Sequence, residues 1–131
     1  MIRLLFVAAG GALGAVARYG VGRLAARLHP AADWPWGTLT VNVIGGLLMG
    51  LLSGWLTFRG GSQAESVRLF AAVGVLGGFT TFSAFSLETM LLLERRQLAM
   101  AAGYVVLSVM LSIAALFVGL VVARRALGAA L

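Results

Sequence analysis

Four long apolar runs, separated by short polar stretches, set the pattern of this chain. They cover residues 4–24, 37–58, 66–93 and 98–123, and a helix needs about 20 apolar residues to cross a membrane. No run alternates apolar and polar residues with a period of two, which is the pattern of a membrane β-barrel. We therefore predict an all-α membrane protein, a single domain over residues 1–131 with four transmembrane helices.

The composition agrees with a chain that lies in lipid. Hydrophobic residues make up 61% of the chain and charged residues 11%, whereas average soluble domains are about 45–50% apolar and about 25% charged. A small soluble domain leaves much of its surface in water and could not hide so many apolar side chains. We expect Trp34 and Trp36, which flank the first polar loop, to lie at the membrane interface.

The charged residues exclude several classes of function. The net charge of +6 comes from arginine, because the chain contains no lysine. The arginines lie near the ends of the apolar runs, where they can reach lipid headgroups, and form no basic stripe for nucleic acid. Without lysine or cysteine there is no Walker A loop, Schiff base or thiolate metal site. Glu88 lies in the third apolar run, apart from His29 and Asp33 in the first polar loop, so their spacing indicates no enzyme.

The arginines also bear on orientation, because an excess of positive charge on one side of the membrane normally fixes it. Here the two sides are almost balanced, with five flanking arginines against four. The balance predicts that the chain inserts both ways and pairs as an antiparallel, dual-topology homodimer. One side holds Arg3, Arg59, Arg68, Arg124 and Arg125, and the other holds Arg23, Arg27, Arg95 and Arg96.

The third apolar run differs from the others in the glycine, threonine and serine residues that crowd its middle, between Gly74 and Ser86. Glycine and threonine are poor helix formers, so we predict a broken third helix whose first half ends near Gly77. Irregular backbone at membrane depth survives only where protein or a wet cavity covers it. The carbonyl groups freed at such a break suit a small hard cation. The alternative is a glycine kink that lets helices pack closely.

Small residues recur every four positions on three of the runs, the spacing that lets helix backbones approach closely in lipid. We expect most of this packing within one subunit and part of it between subunits. The ridges are Gly10 and Gly14, then Gly46, Gly50 and Gly54, then Gly74 and Gly78.

Aromatic edges and hydroxyl groups are the candidate lining of an ion pathway. Phe82 and Phe85 lie on one helix face. An electropositive ring edge can face a weakly hydrated anion, although either ring could instead be a lipid-facing or core residue. Tyr104, Ser108 and Ser112 share a face of the fourth run, where their hydroxyls can donate hydrogen bonds to an ion or join helices.

Further polar residues within the runs add to these candidates. Asn42 either makes a packing hydrogen bond or serves as a donor in the pore, because an unpaired amide in lipid is costly. Thr81 and Ser83 are additional pore candidates. Arg18 is either functional or an arginine that reaches the membrane surface, and Glu88 is expected at the edge of a vestibule. Donors and ring edges, rather than acids, favour an anion pathway.

Three stretches of the sequence carry a family resemblance. They are Gly11-Ala12-Leu13-Gly14-Ala15-Val16-Ala17-Arg18-Tyr19, Gly37-Thr38-Leu39-Thr40-Val41-Asn42-Val43-Ile44-Gly45 and Gly77-Gly78-Phe79-Thr80-Thr81-Phe82-Ser83. They closely resemble the CrcB/Fluc fluoride channel family. The resemblance covers essentially the whole chain, and the third stretch is the most specific part of it.

The resemblance implies an antiparallel dual-topology homodimer with two pores in the inner membrane. Fluoride would leave the cell passively down its gradient, which protects the cell from fluoride toxicity. The resemblance also implies a structural Na⁺ at the dimer centre, which is not transported. Backbone carbonyls that match Gly77 and Thr80 of both subunits would hold this ion.

The site positions of the family carry over residue by residue. They are the pore phenylalanines Phe82 and Phe85, the pore asparagine Asn42, and the polar track Tyr104, Ser108 and Ser112. Ala84 departs from the pattern, because the family often has threonine there. One hydroxyl near the pore is thereby lost.

A small multidrug-resistance-type, proton-coupled transporter is the alternative function, because such transporters are also short four-helix chains that form dimers. Their coupling needs a glutamate in the first helix, whereas the first run here carries Arg18 and no acid. A third possibility is a structural subunit of a larger complex, which predicts no ion flux in liposomes.

Overall fold

The computed structural model describes residues 1–128, and every regular element in that range is helical. Within this range, four helical stretches are long and apolar enough to cross a membrane. The predicted all-α chain with four membrane-spanning segments is therefore confirmed. The stretches are Ile2–Leu28, Trp36–Arg59, Gly61–Glu94 and Leu98–Gly128.

We number the helices in chain order. Helix α1 spans Ile2–Leu28, α2 spans Trp36–Arg59, α3 covers residues 64–79, α4 spans Phe82–Glu94 and α5 spans Leu98–Gly128. A 3₁₀ turn at Gly61–Gln63 joins α2 to α3. The helices run past the apolar runs at their arginine-bearing ends, since Arg27 and Arg59 lie in the last turns of α1 and α2. Basic side chains are favourable at the negative end of a helix dipole.

Helices α2 and α5 pack side by side and point in the same direction. Gly46 contacts the backbone of Ser112, and Gly54, two turns further on, contacts Ala123. A Cβ at Gly46 would lie 2.6 Å from the carbonyl oxygen of Ser112, which is closer than a side chain tolerates. The glycine ridge of α2 therefore packs against α5 within the same subunit.

Helices α1 and α3 form the second close pair and are also parallel to each other. Gly10 contacts the backbone of Phe70, and Gly14 contacts that of Phe79. A Cβ at Gly78 would lie 2.5 Å from the carbonyl oxygen of Gly11. These two ridges are likewise used inside one chain, which agrees with the expectation that most of the small-residue packing is intramolecular.

The third membrane segment is not a uniform α-helix. Its first part begins as Ala64–Val67, continues as a π-helix over Arg68–Leu76 and ends in one α-helical turn at Gly77–Phe79. Thr80 and Thr81 then have extended backbones, with ψ angles of 156° and 117°, before α4 starts. Two residues of extended backbone thus lie between the helical parts of this segment.

The first part of the segment ends slightly later than the predicted end near Gly77. The amide and the hydroxyl of Thr80 both donate to the carbonyl oxygen of Leu76, at 3.0 and 2.9 Å. These two hydrogen bonds close a further turn, so the helix continues through Phe79 and the extended backbone starts at Thr80.

The core of the described chain is small, and the exterior is apolar. Many large side chains are more than half exposed, as expected for helices that lipid surrounds. The buried cluster consists of Leu39, Leu92, Ala101 and Tyr104. Exposed examples on the outer helices are Leu4, Val16, Val106, Ile113 and Phe117.

Candidate functional site

Two cavities, each of about 430 Å³, meet at the extended stretch. We call the first the α1–α2 cavity, because these helices and their connecting loop form most of its wall. We call the second the α2–α5 groove, which α4 also borders. The polar lining of the cavity includes Arg18, Thr38, Thr81 and Glu88, and that of the groove includes Asn42, Thr80, Thr81, Ser108 and Ser112.

The side chain of Asn42 holds the backbone of Thr81. Asn42 Nδ2 donates to the Thr81 carbonyl oxygen at 3.1 Å, and the Thr81 amide donates to Asn42 Oδ1 at 2.9 Å. An extended residue has no helical partners for these two groups, and unpaired backbone groups are costly in lipid. Asn42 therefore makes the packing hydrogen bonds left open by the sequence. It also lines the groove, and its Nδ2 carries a second N–H for a ligand there.

The hydroxyl of Thr81 caps the helix that follows. It accepts a hydrogen bond from the amide of Ala84 at 3.1 Å and lies 3.2 Å from the Ser83 hydroxyl. Threonine is a favoured residue at this N-cap position. Thr81 lines both cavities, whereas Ser83 is exposed and lies among the lining residues of neither. The pore role predicted for Ser83 therefore stays a prediction.

Phe82 and Phe85 both border the groove, as neighbours on α4. Their ring centroids are 5.5 Å apart, and the planes are tilted by 44°. Phe82 is 78% exposed, while Phe85 is half-buried against Tyr104. In the single chain, one ring thus stands on the open side of the groove and the other is packed into its wall.

The two serines of α5 present their hydroxyls at the groove. Ser108 and Ser112 line it one helical turn apart. Within the described residues, the Oγ atoms of both are buried and have no hydrogen-bond partner. Buried hydroxyls are normally satisfied, so the unpartnered pair marks a place where a ligand or water would be bound.

Tyr104 does not share this placement, although it lies on the same helix face as the serines. The residue is completely buried and lines neither cavity. Its hydroxyl donates to Glu88 Oε2 at 2.6 Å. The place on the ion pathway that the sequence predicted for Tyr104 therefore stays a prediction.

Glu88 is anchored at the wall of the α1–α2 cavity, where the sequence predicted the edge of a vestibule. The Thr38 hydroxyl donates to Glu88 Oε1 at 2.7 Å, so that the carboxylate receives one bond from Thr38 and one from Tyr104. Arg18 is half-buried and lines the same cavity. Both roles that the sequence left open for Arg18 stay predictions.

Sequence reasoning missed two residues of this site. Thr38 precedes Asn42 by four residues, and this helical spacing was a signal that both face the same neighbours. Trp34, whose expected place at the membrane interface stays a prediction, packs its ring on Tyr104 with centroids 5.7 Å apart and lies half-buried beside the α1–α2 cavity. No signal in the sequence separates Trp34 from the exposed Trp36.

The backbone carbonyls of Gly77 and Thr80 are the candidate ligands of a cation. In a continuous helix the amides of Thr81 and Ala84 would donate to the carbonyls of these residues, four positions earlier. Here both amides donate to side chains instead, to Asn42 Oδ1 and Thr81 Oγ1. Gly77 is exposed. Among the described residues, no cluster of three or more histidine, cysteine or acidic side chains could hold a metal, so such a site would use backbone oxygens.

The fold and the site together define a multi-pass helical membrane protein that gathers hydrogen-bond donors and phenylalanine rings at an interruption of its third segment. A sequence model of the family described as "CrcB-like protein, Camphor Resistance (CrcB)" matches residues 5–120. The chain therefore belongs to the CrcB family.

Named relatives are similar over nearly their whole length. The chain is 61% identical to the "Fluoride-specific ion channel FluC" of Caulobacter sp. (strain K31), over 95% of this chain and 97% of the relative. It is 57% identical to the protein of that name from Caulobacter vibrioides (strain NA1000 / CB15N), over 95% and 98% of the two chains. For the protein of that name from Phenylobacterium zucineum (strain HLK1), the identity is 56% over the same shares.

Proposed function

We propose that this chain is a fluoride-specific ion channel that exports fluoride passively across the inner membrane and so lowers its toxicity in the cytoplasm. The observation that carries the proposal is the 61% identity, over 95% of the chain, to a protein named "Fluoride-specific ion channel FluC". A channel moves an ion without a chemical step, so the protein is not an enzyme. The geometry of the α2–α5 groove explains how such a chain could conduct.

The groove is suited to a small anion because it offers donors without a fixed positive charge. The unpartnered hydroxyls of Ser108 and Ser112 and the second N–H of Asn42 can donate to the ion. The edges of Phe82 and Phe85 add weak positive potential. Conduction needs binding strong enough for entry and weak enough for departure, which such neutral groups provide.

The α1–α2 cavity supplies the approach to the groove. Arg18 lines it and attracts an anion, while the carboxylate of Glu88 is occupied by hydrogen bonds from Thr38 and Tyr104. Thr81 lines both the cavity and the groove, so the proposed route passes this residue. The ion would exchange water in the cavity for donors in the groove.

An antiparallel, dual-topology homodimer is part of the proposal. The groove is open on one side, where Phe82 is 78% exposed, so a second subunit would be needed to enclose the ion. The near balance of flanking arginines removes the charge bias that would fix one orientation. Each subunit would contribute one groove, which gives the dimer two pores.

The interruption of the third segment would hold a structural Na⁺ that is not transported. Gly77 and Thr80 supply carbonyls whose usual helical partners, the amides of Thr81 and Ala84, donate elsewhere. Unwound backbone carbonyls coordinate Na⁺ in broken membrane helices. Bound Na⁺ would take the place of these helical partners, and the equivalent residues of the second subunit would complete the ligands.

Efflux from proteoliposomes tests the function directly. We expect the purified protein to release fluoride, to exclude chloride and to need no proton gradient. Phe82→Ile and Asn42→Asp should both lower the fluoride efflux, because one removes a ring edge and the other removes a donor and adds negative charge. Equal passage of chloride, or no fluoride efflux by wild type, would contradict the proposal. Proton-coupled flux of organic cations would favour the multidrug-type alternative.

A further inference from the structure

A row of aromatic rings links the loop between α1 and α2 to the α2–α5 groove. Trp34 contacts Tyr104 in a T-shaped arrangement, with centroids 5.7 Å apart and planes at 86°. Tyr104 contacts Phe85 at 5.3 Å, and Phe85 contacts Phe82 at 5.5 Å. We call these four residues the aromatic ladder. Its inner end, Phe82 and Phe85, borders the groove.

The outer end of the ladder is firmly seated. The indole of Trp34 lies over Gly103 of α5, where an added Cβ would come within 3.7 Å of the ring. The indole nitrogen is buried and has no hydrogen-bond partner within the described residues, so the ring is held by packing alone. Next to it, the exposed side chain of Asp33 makes a long contact, 3.5 Å, with Gln97 Nε2 in the turn before α5. Trp34 is therefore held by the body of the protein and not only by its own loop.

Trp34 is one of the neighbours that hold the ring of Tyr104, which also packs in the cluster with Leu39, Leu92 and Ala101. Its hydroxyl is fixed by the 2.6 Å hydrogen bond to Glu88. A ring held at its hydroxyl end can still turn about its long axis, and the contacts with Trp34 and Phe85 restrict that rotation. Edge-to-face contacts favour particular ring orientations. Removal of Trp34 would take away one of the contacts that orient Tyr104 and so loosen the wall on which Phe85 packs.

From this arrangement we infer that Trp34 is a positioning residue for the conduction site, which sets the ring of Phe85 through the ring of Tyr104. The inference rests on the proposed function, since it concerns the aromatic edge offered to the ion. Trp34 touches no part of the groove itself. A site that binds or conducts a ligand needs side chains that their neighbours hold in place. Trp34 is such a neighbour, because it packs on Tyr104.

Three variants separate ring positioning from a general need for an interfacial tryptophan. Trp34→Leu removes the ring, and Trp34→Phe keeps a ring that can meet Tyr104 edge-on. Trp55→Leu is the matched control, because Trp55 lies near the end of α2 and takes part in none of the aromatic pairs found among the described residues. We expect Trp34→Leu to lower fluoride efflux per dimer about tenfold, which corresponds to about 1.4 kcal/mol. The fluoride efflux of Trp34→Phe and Trp55→Leu should stay within about twofold of the wild-type value, which corresponds to a few tenths of a kcal/mol.

A spectroscopic probe reports the ring of Phe85 independently of flux. Para-fluorophenylalanine placed at position 85 gives a fluorine NMR resonance that depends on the rings around it. We expect Trp34→Leu to move or broaden this resonance and Trp55→Leu to leave it unchanged. An unchanged resonance in Trp34→Leu would overturn the inference, as would equal loss of efflux in Trp34→Phe and Trp34→Leu.

Folding controls separate a loss of ion conduction from a loss of folded protein. Each variant is compared by size-exclusion chromatography, and Trp34→Met, whose longer and more flexible side chain can adapt to the space, replaces Trp34→Leu if the latter gives no folded protein. If wild type itself passes no fluoride, the proposed function fails. In that case the fluorine resonance still decides whether Trp34 positions Phe85.

Discussion

The amide side chain of Asn42 forms two hydrogen bonds with the backbone of Thr81, across 39 positions of sequence. It donates to the carbonyl oxygen at 3.1 Å and accepts from the amide at 2.9 Å. One polar residue of α2 thereby takes the place of both helical partners that Thr81 lacks. The interruption between α3 and α4 and the polar position in α2 are consequently one structural feature.

This pairing predicts that Asn42→Leu destabilises the protein. The substitution leaves the amide and carbonyl of Thr81 without their partner, and a buried unsatisfied polar group costs about 1–3 kcal/mol. Denaturant titration of the detergent-solubilised protein measures the free energy of unfolding. Thr57→Val is the matched control on the same helix, because it removes an exposed hydroxyl that donates to Ser53 at 2.9 Å and should cost at most about 0.5 kcal/mol. Equal effects of the two substitutions would contradict this account.

The cap on α4 gives a second prediction, centred on the hydroxyl of Thr81. Thr81→Val keeps the shape of the side chain but removes the oxygen that accepts from the Ala84 amide at 3.1 Å. Loss of such a cap costs about 1 kcal/mol, whereas Thr81→Ser retains the acceptor. Hydrogen exchange at the Ala84 amide is the measurement, and it should become faster in Thr81→Val only. Equal protection of the Ala84 amide from exchange in both variants would show that its hydrogen bond to Thr81 does not stabilise α4.

The close approach of α1 and α3 predicts opposite effects for two glycines on one helix. A Cβ at Gly14 would lie 2.8 Å from the Phe79 amide nitrogen, and overpacking of this kind costs about 1–3 kcal/mol. Gly20 has no neighbour within 4 Å, so Gly20→Ala removes only the poor helix propensity of glycine and should stabilise by up to about 1 kcal/mol. Denaturant titration of Gly14→Ala and Gly20→Ala measures both. If Gly14→Ala stabilised the protein instead, α1 and α3 would have to lie further apart than in this structure.

Features set by the local sequence were predictable. The apolar runs gave the number of membrane-spanning segments, because lipid requires long apolar helices. The spacing of Gly10 and Gly14 and of Gly46 and Gly50 predicted close helix pairs, and each ridge faces backbone of another helix. Spacing alone did not name the partner helix, since that depends on how the whole chain packs.

Features set by tertiary contacts were not predictable. Helical periodicity placed Tyr104 with Ser108, yet Trp34 and Phe85 cover the tyrosine and leave the serine at the groove. The π-helical stretch Arg68–Leu76 consists of residues with no unusual helix propensity apart from Gly74, and the same stretch lies against α1. Neither contact could be predicted from the sequence pattern, because each joins residues that lie far apart along the chain.

The released carbonyls of Gly77 and Thr80 lead to a prediction about Na⁺. If the folded protein binds Na⁺ through these oxygens and the unfolded chain does not, mass action makes its melting temperature rise with Na⁺ concentration. Replacement of Na⁺ by N-methylglucamine, a cation too large for a cage of carbonyls, should lower the melting temperature and the fluoride efflux together. Ionic strength is held constant, so that screening does not contribute.

Matched variants connect this effect to the interruption. In Thr81→Val, whose Ala84 amide has lost its side-chain acceptor, that amide becomes available to the carbonyl of Thr80 four residues before it. We therefore expect this variant to respond less to Na⁺ than wild type does, whereas Thr81→Ser should respond as wild type. A melting temperature that does not depend on Na⁺ in any of the three proteins would exclude a structural Na⁺ at these carbonyls, and the interruption would then rest on Asn42 and Thr81 alone.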